Sequence, residues 1–203
     1  MKSIVARLLL AALFVIVAGV RPAAADSFVS LPEIGGKNAK LKLRVVRYDG
    51  STNGKMIVEV KNTSKKTEKF VADRLYFIPG VEADKAPQRL GAAGPFVEVT
   101  QSGDSQHLNE IAVGPGQTKQ LALEVFCIDS HRSSPSSETS FTLAKKPLPK
   151  ALGQEINGKA RKIMQDNKGD FAASKDAIQS ETWKSRDKKW IKLEGESAQE
   201  ANK

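Results

Sequence analysis

Between Leu41 and Leu143, apolar residues recur at every second position in short runs separated by turn-forming residues. Leu41, Leu43 and Val45 alternate with Lys42, Arg44 and Val46, which suits a strand that buries one face. Asp49-Gly50 and Asn53-Gly54 mark a turn. Met56, Val58 and Val60 then alternate with Ile57, Glu59 and Lys61. Apolar runs at residues 75–78 and 96–99 are bounded by Gly or Pro, and residues 111–113 lead into Gly114-Pro115-Gly116. Leu121, Leu123, Val125 and Cys127 alternate next, and Phe141-Thr142-Leu143 closes the series. About seven short strands within residues 26–144 predict a mainly β fold, an immunoglobulin-like β-sandwich, with a barrel as the second architecture.

The period changes after Lys145-Lys146-Pro147-Leu148-Pro149, which reads as a hinge. Leu152, Ile156, Ala160 and Ile163 follow helical spacing, and Asn167-Lys168-Gly169 reads as the stop. Asp170 is placed to cap a second helix running to about Lys189. One face of that helix carries Phe171, Ser174, Ile178 and Thr182, and a neighbouring face Ala172, Gln179, Trp183 and Trp190. Residues 145–192 are therefore expected to form a helical appendage packed on the β domain. Residues 193–203 are polar and read as a disordered tail.

At the other end, Lys2 and Arg7 precede an apolar or small run from Leu8 to Val20, followed by Arg21-Pro22 and Ala23-Ala24-Ala25. This is the order of a secretory signal peptide spanning residues 1–25, with a mature start at Asp26. The protein is accordingly expected to be exported to a periplasmic, surface or secreted location. Charge then looks different from the formal net of +9. The expected mature chain carries +6, of which residues 26–144 hold +1 and residues 145–203 hold +5.

No phosphate-binding Gly-Lys-Ser/Thr loop, Gly-x-Ser-x-Gly elbow or His-Glu-x-x-His pair occurs, so the chain reads as non-enzymatic, with no cofactor. Attention falls on Cys127, the lone cysteine of an expected exported chain. Its alternation with Val125 puts it on an apolar face, where a thiol behaves as a small hydrophobe. A copper reading would add His107 and His131 as imidazole ligands, although no methionine follows His131 closely.

Phe126-Cys127-Ile128, with Gln179 and Trp183 at a fixed separation downstream, resembles the bacterial thioester domains of surface adhesins. Ile178, Glu181 and Thr182 stand where that family has Thr, Ala and a hydrophobic residue. The resemblance implies a bond between the Cys127 sulfur and the Gln179 side-chain carbonyl. Ammonia would be lost, and Trp183 would wall off water.

Lys184, Arg186, Lys188, Lys189 and Lys192 surround Trp183 and Trp190 as a basic aromatic patch. Such a patch can serve nucleic acid or an anionic membrane surface. Export argues against nucleic acid, and Asp176, Glu181 and Asp187 interrupt the positive face. A solvated helix face packed on the β domain is the expectation. The leading functional expectation is an exported binding or surface-associated module for a protein or glycan. A covalent thioester adhesin and a copper protein are the alternatives.

Overall fold

A computed structural model of the chain describes residues 27–50, 52–100, 106–188, 191–198 and 200. The expected signal peptide, residues 1–25, lies outside the described residues, as do Lys189 and Trp190.

The alternating segments become β2 (Leu41–Tyr48), β3 (Lys55–Asn62) and β9 (Thr118–Cys127). They lie side by side in antiparallel pairing, because each has an apolar face that only a neighbouring strand and a common core can cover. Around them run β1 (Val29–Ser30), β5 (Tyr76–Pro79), β6 (Leu90–Glu98), β7 (His107–Leu108) and β10 (Phe141–Leu143). The sheet order is β1-β2-β3-β9-β6-β5-β10, with β7 added on β6, while β4 (Glu68–Phe70) and β8 (Ile111–Val113) form a separate pair.

The predicted sandwich of two facing sheets is replaced by one continuous eight-stranded sheet that curls until it nearly closes. Tyr48 of β2 meets Phe141 of β10 edge to face, with ring centroids 5.3 Å apart. Turn signals alone do not separate these outcomes, because a strongly curled sheet and a sandwich both bury alternate residues. In β2 the register slips between Val45 and Arg47, so Val46 is an extra residue. The slip leaves Val46 exposed and returns Tyr48 to the core.

Two hydrophobic layers result. Leu43, Val58, Leu123, Phe77 and Phe96 fill the inside of the curl. Phe126, Ile128, Leu152, Ile156 and Ile178 lie between the sheet and the helices α1 (Lys150–Asp166) and α2 (Phe171–Asp187). Central strand β9 is covered on both sides, hence its unbroken burial from Leu121 onward. The predicted stripe of α1 is the buried one, with Leu152, Ile156 and Ala160 inside. Helix α1 stops where Lys168 and Gly169 turn left-handed, at φ 56° and 83°. The Asp170 carboxylate then accepts from the Ala173 N–H at 3.0 Å and starts α2. Phe171 fits over Gly94, whose φ of +85° marks a register break in β6. A Cβ on Gly94 would stand 3.4 Å from the Phe171 ring.

Two expectations are corrected. The Lys145–Pro149 hinge is packed in place, since Leu148 is buried and its N–H donates to the Arg74 carbonyl at 2.8 Å. The tail expected to be disordered is folded over its described part, with Leu193, Ser197 and Glu200 all buried. Its partners, distant in sequence, are charged groups.

Candidate functional site

Cys127 ends β9, and its neighbours face opposite ways. Phe126 and Ile128 belong to the helix-side layer, whereas Cys127 belongs to the inner core with Tyr48 and Met56. Burial, reinforced by Asp129, pushes its thiol pKa up to about 12, so the sulfur stays protonated at neutral pH. The Gln179 side chain from α2, itself buried, meets the main chain of Cys127. Its Oε1 accepts from the Cys127 N–H at 3.0 Å, and its Nε2 donates to the Cys127 carbonyl at 2.8 Å. Strand β3 begins opposite Glu124, so the end of β9 has no strand residue to pair with on that side. A carboxamide offers the same donor and acceptor as a peptide group and completes the ladder there. Thr52 shares the Cys127 N–H through its carbonyl at 3.1 Å. Trp183, one turn further along α2, donates from its indole N–H to Gln88 Oε1 at 3.0 Å.

The fold thus joins two residues 52 positions apart through side-chain-to-main-chain hydrogen bonds. Replacing Gln179 by alanine leaves the Cys127 carbonyl without this donor, since the N–H alone retains Thr52. The expected loss is about 1–3 kcal/mol in urea unfolding, the cost of an orphaned buried acceptor.

The basic patch is corrected at its centre. Arg186 is only 1% exposed and points inward, its Nε 3.7 Å from Asp129 and its Nη2 4.0 Å from Glu196. Lys184 is exposed but paired with Glu181 at 2.8 Å, and Lys188 is exposed. Helical spacing explains the reassignment: Arg186 lies four residues after Thr182 on the buried face.

Around Arg186 lies a buried ionic cluster with no local sequence signature. The Arg89 and Asp129 side chains are both 0% exposed. Arg89 Nε and Nη2 each donate to an Asp129 oxygen at 2.7 Å, a bidentate pair. Arg89 Nη1 also donates to the Glu194 carbonyl at 3.1 Å, which ties the pair to the C-terminal segment. Glu200 lies against Arg132, with Arg132 Nε donating to Oε1 at 3.0 Å, and also accepts from Arg132 Nη2 and the Ser197 N–H. His131 Nε2 contacts the same carboxylate. Burial would raise the Glu200 carboxyl, but these donors outweigh it and hold the group well below the usual carboxylate range.

A lowered folded-state value stabilises the protein above the ordinary glutamate value near 4.5, and that contribution is lost as pH falls below it. Urea midpoints are therefore expected to drop between about pH 6 and about pH 3, less so in Glu200→Gln. Glu124 acts oppositely, because burial raises it despite Lys175 and Lys55. The difference between the native protein and Glu200→Gln isolates the Glu200 part.

The copper ligands considered above are engaged elsewhere. His131 is held by Glu200, His107 stacks on Phe171 with ring centroids 6.4 Å apart, and Cys127 is in the core. Among the described residues, no group of three or more His, Cys, Asp or Glu is placed to hold a metal ion.

Where α1 runs past two loops of the β domain, the surface opens into a cleft of about 430 Å³. The loop between β1 and β2 supplies Ile34 and Gly35, and the loop between β4 and β5 supplies Asp73 and Arg74. Its other wall is one face of α1, with Lys150, Gln154, Asn157 and Arg161. Their steps of four, three and four along α1 are the sequence signal that could have found this wall. Comparison with protein families, curated proteins and solved structures finds no match to this chain.

Proposed function

We propose that this protein is an exported, non-enzymatic binding module whose ligand, a protein or glycan, seats in the cleft between α1 and the two β-domain loops. The observation that carries the reading is the composition of that cleft. Asp73, Arg74, Gln154, Asn157 and Arg161 put donors and acceptors side by side on a concave surface. Amide, carboxylate and guanidinium groups in this arrangement match hydroxyl-rich or peptide ligands. The loops that carry them stand on a packed scaffold, which keeps the binding geometry preorganised. The signal-peptide pattern of residues 1–25 supports export.

The test is saturable binding of the chain from Asp26 to glycan and extracellular-protein arrays. Binding that is lost in a Gln154→Ala/Arg161→Ala variant supports the reading. Binding unchanged in that variant, or no binding on either array, contradicts it.

A second reading, the thioester adhesin, has one observation in its favour: the Gln179 carboxamide lies against Cys127. In that chemistry the Cys127 Sγ–Gln179 Cδ bond forms as the Gln179 Cδ–Nε2 bond breaks. The thiol proton leaves with the nitrogen as ammonia. Both polar atoms of the carboxamide are instead occupied by the Cys127 main chain, and the thiol is protonated. Intact mass separates the two. The binding-module reading expects the unmodified chain and one thiol that alkylates only after unfolding. A mass lower by one ammonia, with no alkylation after unfolding, would establish the thioester.

A further inference from the structure

We infer that the cleft between α1 and the β4–β5 loop binds an oxyanion, a carboxylate, sulfate or phosphate group, through Arg74 with Lys150 and Arg161; this rests on the reading of the cleft as the ligand site. Arg74, Lys150 and Arg161 all line it, and among the described residues none of the three is in an ion pair. Against these three cations the lining sets one acid, Asp73 beside Arg74, so the cleft side chains carry a net positive charge.

Arg74 is a built feature rather than a surface side chain that happens to lie nearby. Its backbone is left-handed at φ 66°, a conformation that costs a non-glycine residue energy. Its Nε donates to the Leu148 carbonyl at 2.8 Å, which fixes the guanidinium plane and leaves the terminal nitrogens for a ligand. Helix α1 makes room for it with Gly153, where an added Cβ would stand only 2.4 Å from Arg74 Cγ. Glycine inside a helix is itself unfavourable by about 1 kcal/mol relative to alanine. Two locally unfavourable choices therefore converge on the position of one guanidinium. A fixed guanidinium fork suits the paired oxygens of an oxyanion. Lys150 and Arg161 lie one each toward the two ends of the helical wall, and exposed cations there add attraction without fixed geometry.

The oxyanion has two sources, a free inorganic anion or an acidic sugar unit, and one titration distinguishes them. The ¹⁵N-labelled chain from Asp26 is followed by NMR with sodium sulfate, sodium phosphate, D-glucuronate and neutral methyl glucoside, at ionic strength held constant with NaCl. Saturable shifts at residues 73–74 and 150–161 are expected with the oxyanions and not with the neutral sugar. Tighter glucuronate binding identifies an acidic sugar, and tighter sulfate or phosphate binding a free anion. Arg74→Gln is expected to weaken binding about tenfold or more. Arg161→Gln, at an exposed position, weakens it in a chain whose spectrum is otherwise unchanged. No saturable shift with any oxyanion, or equal affinity in Arg161→Gln and the native chain, would overturn the proposal. A neutral glycan or protein ligand bound on the arrays without any oxyanion effect would overturn it as well, while leaving the binding module intact.

Discussion

Replacing Asp129 by alanine is expected to destabilise the fold by about 3–5 kcal/mol, read as a lower urea midpoint at unchanged slope. Asp129 holds both oxygens against Arg89 and lies beside Arg186, and all three side chains are buried. Without it, two guanidinium groups remain in the interior with less opposing charge, and an arginine cannot neutralise itself by losing a proton. Burial already acts to lower the Arg186 value, whereas hydrogen bonding to Asp129 holds Arg89 up against the same effect. Folded domains are stable by about 5–15 kcal/mol in total, so this one substitution removes a large share. A double variant, Arg89→Met with Asp129→Leu, is expected to lose less than the single one. Buried ion pairs are weak stabilisers as pairs but costly to leave half complete.

Ending the chain after Lys192 is expected to have a comparable effect. Leu193 is buried in the helix-side layer that also holds Tyr76 and Leu152, and losing a buried leucine costs about 2–5 kcal/mol. Glu200 leaves as well, and it is the carboxylate that Arg132 grips with both Nε and Nη2. The Glu194 and Gly195 carbonyls, acceptors for Arg89 and Arg132, go with the same segment. If residues 193–203 were a free tail, the truncated chain would unfold at the native urea concentration. The packing seen here predicts a clearly lower midpoint and, from the orphaned arginines, poor recovery on refolding.

The elements that were legible in the sequence were those with a local period. Alternation marked β2, β3 and β9, a helical stripe marked α1, and Asp170 marked the start of α2. The first half of β6 gave no such signal, because its residues are small: Gly91 leaves room for Leu148 and Ile128, and Gly94 for Phe171, above the sheet. The closure of the sheet depends on Tyr48 meeting Phe141, 93 positions further along the chain, a non-local contact that alternation does not encode. The ionic cluster was invisible for a related reason. Its members lie at positions 89, 129, 132, 186, 196 and 200, and each taken alone reads as a surface charge. The fold brings Gln179 against Cys127, but the hydrogen bonds between them run to the main chain, which no side-chain motif specifies.

Sheet, helices and C-terminal segment share two packed layers and are expected to open as one cooperative unit that holds the cleft in shape. Native-state hydrogen exchange followed by mass spectrometry on the chain from Asp26 tests it most directly. Amides of α2, from Ile178 to Trp183, are expected to open with the same free energy as those of β9 and to share their urea dependence. Fast, denaturant-independent exchange in α2 while β9 stays protected would contradict it.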